Sequence, residues 1–133
     1  MKWAIYDYLH TERGNLMKGW SDGLQKKERA KLNQKIDTLA VHGTVLIPGI
    51  VAPTGVNCIF KLKVQGPVKL RPMLCEGPGT SESAFTFLLG AKEVQSKYEP
   101  RRAPQTAAEY RQDLINHPER RGQHERVNGN TQG

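Results

Sequence analysis

Between residues 60 and 71 the chain alternates apolar and basic side chains. Phe60, Leu62 and Val64 interleave with Lys61 and Lys63, and Val68 and Leu70 interleave with Lys69 and Arg71. A period of two predicts half-buried strands, and Gly66-Pro67 between the two runs predicts a turn. Residues 58–75 therefore read as a β-hairpin with one apolar and one basic face. A second period appears upstream. Leu32, Ile36, Leu39 and Ala40 recur at helical spacing inside 24–42, with Asp22 as the expected N-cap and Gly43 as the stop. The rest of that helix carries Lys26, Lys27, Arg29, Lys31 and Lys35.

The remaining segments fill in an order of elements. Residues 2–8, aromatic and β-branched, predict an opening strand, and 15–24 a short helical turn broken at glycines. Residues 44–57 are apolar but punctuated by Pro48, Gly49, Pro53 and Gly55, which predicts a packed connection with a strand fragment. Residues 76–83 read as a loop. The apolar run 84–91 predicts a central strand covered on both faces. Pro104 opens a helix that Pro118 ends, and 118–133 read as a polar, mobile tail. The order β-α-α-β-β-β-α predicts an α+β fold. It comprises a small antiparallel sheet, two N-terminal helices and a C-terminal helix, in one domain over 1–117.

Charge narrows the partners. The chain has 133 residues, with 20 lysines and arginines against 13 acidic residues and a net charge of +7. So basic a single domain favours a polyanion, nucleic acid ahead of an anionic membrane. No run of apolar residues is long enough to span a bilayer. "MKWAIYDYLH" has neither the apolar core nor the cleavage site of a secretory signal, so a cytoplasmic location is expected. Cys58 and Cys75 flank the hairpin; polar-to-polar pairing across it would not set them opposite each other, and reduced thiols are expected. His10, His42, His117 and His124 show no ligand spacing and read as surface histidines. No metal and no cofactor are expected. Trp3 and Trp20 are expected in the core.

Together, the hairpin lysines and the segment "LLGAKEVQSKY" (88–98) resemble the RelE/HigB toxin superfamily, including its phage-derived Gp49-like branch. The resemblance implies a helical pair packed on a small antiparallel sheet, and an enzyme that cuts messenger RNA in the ribosomal A site and is held inactive by a cognate antitoxin. By position, Lys61 and Lys63 match lysines of the family's second strand. Lys69 or Arg71 matches the arginine of its third. Lys92 stands where RelE proteins carry an arginine, and Tyr98 where they carry a tyrosine. The resemblance thus implies Lys61, Lys63, Arg71, Lys92 and Tyr98 as catalytic. Lys69, with Lys31 and Lys35 of the 24–42 helix, would hold RNA. Pro72 interrupts the third strand, which predicts a bulge or an edge there.

The chemistry suits such residues. RNA supplies its own nucleophile, the 2′-hydroxyl beside the scissile phosphate, so the protein must align it, stabilise charge on the phosphate and move protons. Clustered cations meet the second need, and Tyr98 or a hairpin lysine the third. Other readings use the same residues. Alternating lysines also describe the wet face of a sheet, and Tyr98 an aromatic that packs against a helix. A phage or prophage protein of the same fold that only binds nucleic acid or a host protein is the alternative to a nuclease. A ParE-like gyrase inhibitor is a third reading.

Overall fold

The computed structural model describes residues 2–80 and 82–127. It is a mixed α+β fold with three α-helices and two sheets. The opening strand β1 is Ala4–His10, and a tight turn leads to the two-residue β2, Gly14–Asn15. Helix α1, Leu16–Asp22, starts at once, because the Asn15 side chain caps it by accepting from the Lys18 backbone N–H at 2.9 Å. Helix α2 spans Lys26–His42. Its N-cap is Gln25 rather than Asp22; Glu28 reaches back to accept from the Gln25 N–H at 3.3 Å, as in a capping box.

Gly43 ends α2 as expected, at φ +58°, and a Cβ on it would lie 2.0 Å from the Trp3 indole nitrogen. Both the left-handed backbone and the tight approach of Trp3 require glycine there. A 3₁₀ turn, Gly43–Leu46, then leads to β3, Val51–Pro53, the strand fragment expected within 44–57.

The hairpin region departs from its expected form. β4 is Phe60–Leu62, β5 is Lys69–Leu70 and β6 is Met73–Glu76. Pro72 cannot donate to a ladder, and the return strand divides there into two pieces that join different sheets. β6 pairs with β4, setting Phe60 against Leu74 and Lys61 against Met73. A bond from the Leu62 N–H to the Pro72 carbonyl at 3.0 Å and a bridge between Val64 and Leu70 continue that register towards the turn. β5 instead pairs with β8, Lys92–Val94, which pairs in turn with β9, Lys97–Glu99. The irregularity expected near Pro72 lies between Met73 and Leu74.

β7, Ala84–Leu89, is buried along its whole length and sits between β1 and β6, the central position that its apolar run predicts. It runs parallel to β1, with Ala4 beside Ala84 and Asp7 beside Phe87. The main sheet is therefore mixed, which corrects the expected antiparallel one. Its order is β10 (Arg121–Gln123)-β1-β7-β6-β4-β3, with β2 attached to β1.

Helix α3, Ala103–Asn116, opens with Pro104 in its first turn. β10, Arg121–Gln123, then adds to the outer edge of β1. The segment after Pro118, expected as a mobile tail, thus joins the sheet at Arg121–Gln123. Beyond it the His124 N–H bonds the Ile5 carbonyl at 3.0 Å, and Asn33 Nδ2 donates to the Val127 carbonyl at 3.0 Å. The expectation for 128–133 lies outside the described residues.

The two faces of the sheet feed two cores. Phe60, Leu62, Leu74, Phe85 and Phe87 pack with Leu32, Ile36 and Leu39 of α2 and with Met17 of α1. Tyr8, Met73, Cys75 and Leu88 face Ala103, Ala107 and Leu114 of α3. Trp3 and Trp20 both pack on the α1–α2 side, as expected of core tryptophans. No helix among the described residues is long and apolar enough to cross a membrane.

Candidate nucleic-acid interface

Alternation on β4 turns Leu62 into the α2-side core and leaves Lys61, paired with Met73, on the α3 side. There Lys61 meets β9. Its Nζ donates to the Tyr98 hydroxyl oxygen at 2.9 Å and stands 5.4 Å from the centre of the Tyr98 ring. Tyr98 is half-buried, its ring against the core that contains Tyr8, Met73 and Leu88. The lysine head therefore lies off the hydroxyl edge of the ring, held by a charge-assisted hydrogen bond. Two residues from segments 37 positions apart are joined in this way.

Lys63 goes elsewhere. It lies just beyond β4, its backbone N–H bonded to the Ile50 carbonyl at 2.7 Å. With Lys31, Gln34 and Lys35 of α2, and with Gly49, Ile50 and Gln65, it lines a cavity of about 450 Å³. The basic face expected of one hairpin is thus divided between two places. Lys31, which the sequence assigned to RNA binding with Lys35, also borders a neighbouring cavity of about 430 Å³ that holds Lys27, Pro67, Val68 and Leu70.

Arg71 is buried, and each of its three guanidinium nitrogens donates a hydrogen bond. Nε donates to Glu93 Oε1 at 3.0 Å, Nη1 to the Leu70 carbonyl at 2.9 Å, and Nη2 to Gln65 Oε1 at 3.0 Å. A guanidinium held in this way tethers β5 to β8 and lies in the interior, not beside Lys61 and Tyr98. Lys69 is exposed beside Glu93, its partner across β5 and β8. Lys92 pairs with Glu99, one register step from the Glu93–Tyr98 pair, so alternation directs it away from the face that carries Tyr98. Of the five residues implied as catalytic, Lys61 and Tyr98 touch.

Sequence reasoning missed several polar groups. Gln65 lies between the buried arginine and the cavity, and nothing in its neighbours' periodicity marks it. His124, read as a surface residue, is nearly buried, with 10 % of its side chain exposed. Its Nδ1 lies 2.9 Å from Oδ1 of the fully buried Asp7, whose Oδ2 accepts from Asn15 Nδ2 at 2.9 Å. An aspartate inside an apolar strand is a signal that a partner must exist, but the partner's identity, 117 residues away, is not in that signal.

Among the described residues no three His, Cys, Asp or Glu side chains gather as a metal site would need. The chain matches no protein family, no curated protein and no solved structure with which it was compared.

Proposed function

We propose that this protein is a ribonuclease of the RelE/HigB kind. It would be the toxin of a toxin–antitoxin pair and would cleave ribosome-bound messenger RNA by attack of the 2′-hydroxyl on the adjacent phosphate. One observation carries the reading. Lys61 and Tyr98, singled out separately in the sequence, make a direct 2.9 Å contact on the surface between the two sheets.

The contact defines a division of labour. Because Lys61 donates to the Tyr98 oxygen, the phenolic proton is left free to be given to another acceptor. Tyr98 would give that proton to the 5′-oxygen as the phosphorus–oxygen bond breaks, and the lysine charge would hold the resulting phenolate. The 2′-oxygen loses its proton to solvent as it bonds to phosphorus, and a 2′,3′-cyclic phosphate remains on the upstream fragment. Lys61 also places positive charge where the phosphate oxygens gain negative charge. The overall charge of +7 favours the approach of a polyanion.

Programmed, translating ribosomes incubated with the full chain test this, with primer extension to map cuts. The expected result is cleavage at A-site codons. Tyr98→Phe and Lys61→Met should each lower the rate about 100-fold or more while the protein stays folded. Intact mRNA with the unaltered protein would sink the enzyme reading and leave a protein that only binds.

A further inference from the structure

The cavity that receives Lys63 is built for an anion. Lys31, Gln34 and Lys35 stand at helical i, i+3 and i+4 positions, so one face of α2 supplies two ammonium groups and an amide. Lys63 supplies a third ammonium from the opposite wall. Among the described residues none of these three lysines forms a salt bridge, and no carboxylate lines the cavity.

Gln65 completes the arrangement through the buried arginine. Arg71 has only donors, so the Gln65 atom it meets at 3.0 Å must be the amide oxygen. With the oxygen held there, the amide nitrogen remains as the group able to donate into the cavity. Arg71 is itself fixed by Glu93 and by the Leu70 carbonyl, so Gln65 is set from behind by a rigid chain of bonds. Gly66 follows, and a Cβ there would come within 3.1 Å of Lys31 Nζ. The lysine head thus sits close over the turn. Gly66 and Lys31 also border the neighbouring cavity, where Glu28 stands, whereas the cavity that Lys63 lines has charged and amide donors and no acid.

We propose that this cavity binds the phosphate of a nucleotide. The three lysines would meet its oxygens, Gln65 would donate through its amide, and Ile50 would offer an apolar wall to the sugar or base. A volume of about 450 Å³ is ample for a nucleotide and falls in the range of small-molecule sites. A phosphate oxygen cluster accepts from several ammonium groups at once. The carboxylates of an acidic peptide, each on its own stem, would reach the lysines one at a time. Neither Lys61 nor Tyr98 lines the cavity, so the site stands whether or not the protein cleaves RNA. The nucleotide has two sources, a free nucleotide or one unit of an RNA strand.

The test uses the full chain carrying Tyr98→Phe, which keeps RNA probes intact. Calorimetric titrations are run in parallel with a nucleoside diphosphate and with a short single-stranded RNA at fixed salt. At least one probe should bind, and Lys35→Ala and Gln65→Glu should each weaken it about tenfold or more. Gln65→Glu keeps an acceptor for Arg71 and so preserves the fold while placing a negative charge in the cavity. Binding of RNA alone would assign the site to a strand, and binding of the diphosphate would assign it to a free nucleotide. Failure of both probes to bind, or affinities unmoved by both variants, would overturn the proposal. Equal displacement by polyglutamate at matched charge would also overturn it, by reducing the cavity to a general cationic surface.

Discussion

Tyr8 donates its hydroxyl to Asp113 Oδ2 at 2.5 Å, bonding the first strand to the last helix. Arg120 Nη1 meets the other carboxylate oxygen at 2.5 Å, and the Tyr8 ring stacks on Tyr110 with centroids 5.0 Å apart. Burial, then the bond to Asp113, drives the Tyr8 phenol well above its ordinary pKa. The same bond, followed by Arg120, holds Asp113 below the usual carboxylate range.

The sign of the pH effect follows from Asp113. Its folded pKa is depressed, so the stability it contributes is present above the unfolded value of about 3.9. That stability is lost as pH falls from there through the folded value. Tyr8→Phe removes the larger cause of the shift. Acid unfolding of the variant, followed by far-UV circular dichroism, should therefore begin at higher pH than in the parent protein. Coincident acid transitions would show that the bond does not stabilise the fold.

Arg71 and Glu93 allow a sharper measurement. Arg71 is only 4 % exposed, so Glu93→Gln leaves a buried positive charge without its counter-ion. Urea unfolding should show a loss of about 3 kcal/mol or more. Replacing both, as Arg71→Met with Glu93→Leu, should recover most of that loss, because neither change then strands a buried charge. A double variant as unstable as the two single losses added together would mean that the pair does not act as a unit.

The thiols should separate by reactivity. Cys75 is fully buried, and burial pushes its pKa up to about 12, while Cys58 is exposed. At pH 8 a maleimide should label Cys58 alone, and Cys75 should react only after denaturant is added. Peptide mass spectrometry distinguishes the two. Rapid labelling of Cys75 in the native protein would contradict the packing of β6 against β7.

Local periodicity made the strongest elements legible. The spacing of Leu32, Ile36 and Leu39 gave α2, the unbroken apolar run 84–91 gave β7, and Pro104 and Pro118 bracketed α3. Pro72 also announced a break in the ladder. It could not announce that Lys69 and Leu70 would leave the hairpin to pair with Glu93 and Lys92, because strand partners are chosen by long-range packing. The same limit governed the site. Lys61 and Tyr98 were visible as residue types, but alternation alone put Lys61, Lys63, Lys69 and Arg71 on one face. The turn at Gly66, the edge at Ile50 and the pull of Glu93 distribute them among a contact, a cavity, a rim and a buried bond. His124 was misread because a histidine in a polar stretch looks solvated until the buried Asp7 is placed beside it.

The parallel pair at the centre of the sheet has a consequence for synthesis on the ribosome. β1 finds its inner neighbour only at residues 84–87 and its outer one at residues 121–123. Until the later segments emerge, a nascent chain carries its first strand with most of its backbone donors and acceptors unpaired. Both helices of the first half are also without the sheet that covers them. Such late closure slows folding and leaves an adhesive edge open while the chain grows. The protein reaches its final shape only once residues 121–123 have emerged, and a companion that shields β1 would do most for it before that point.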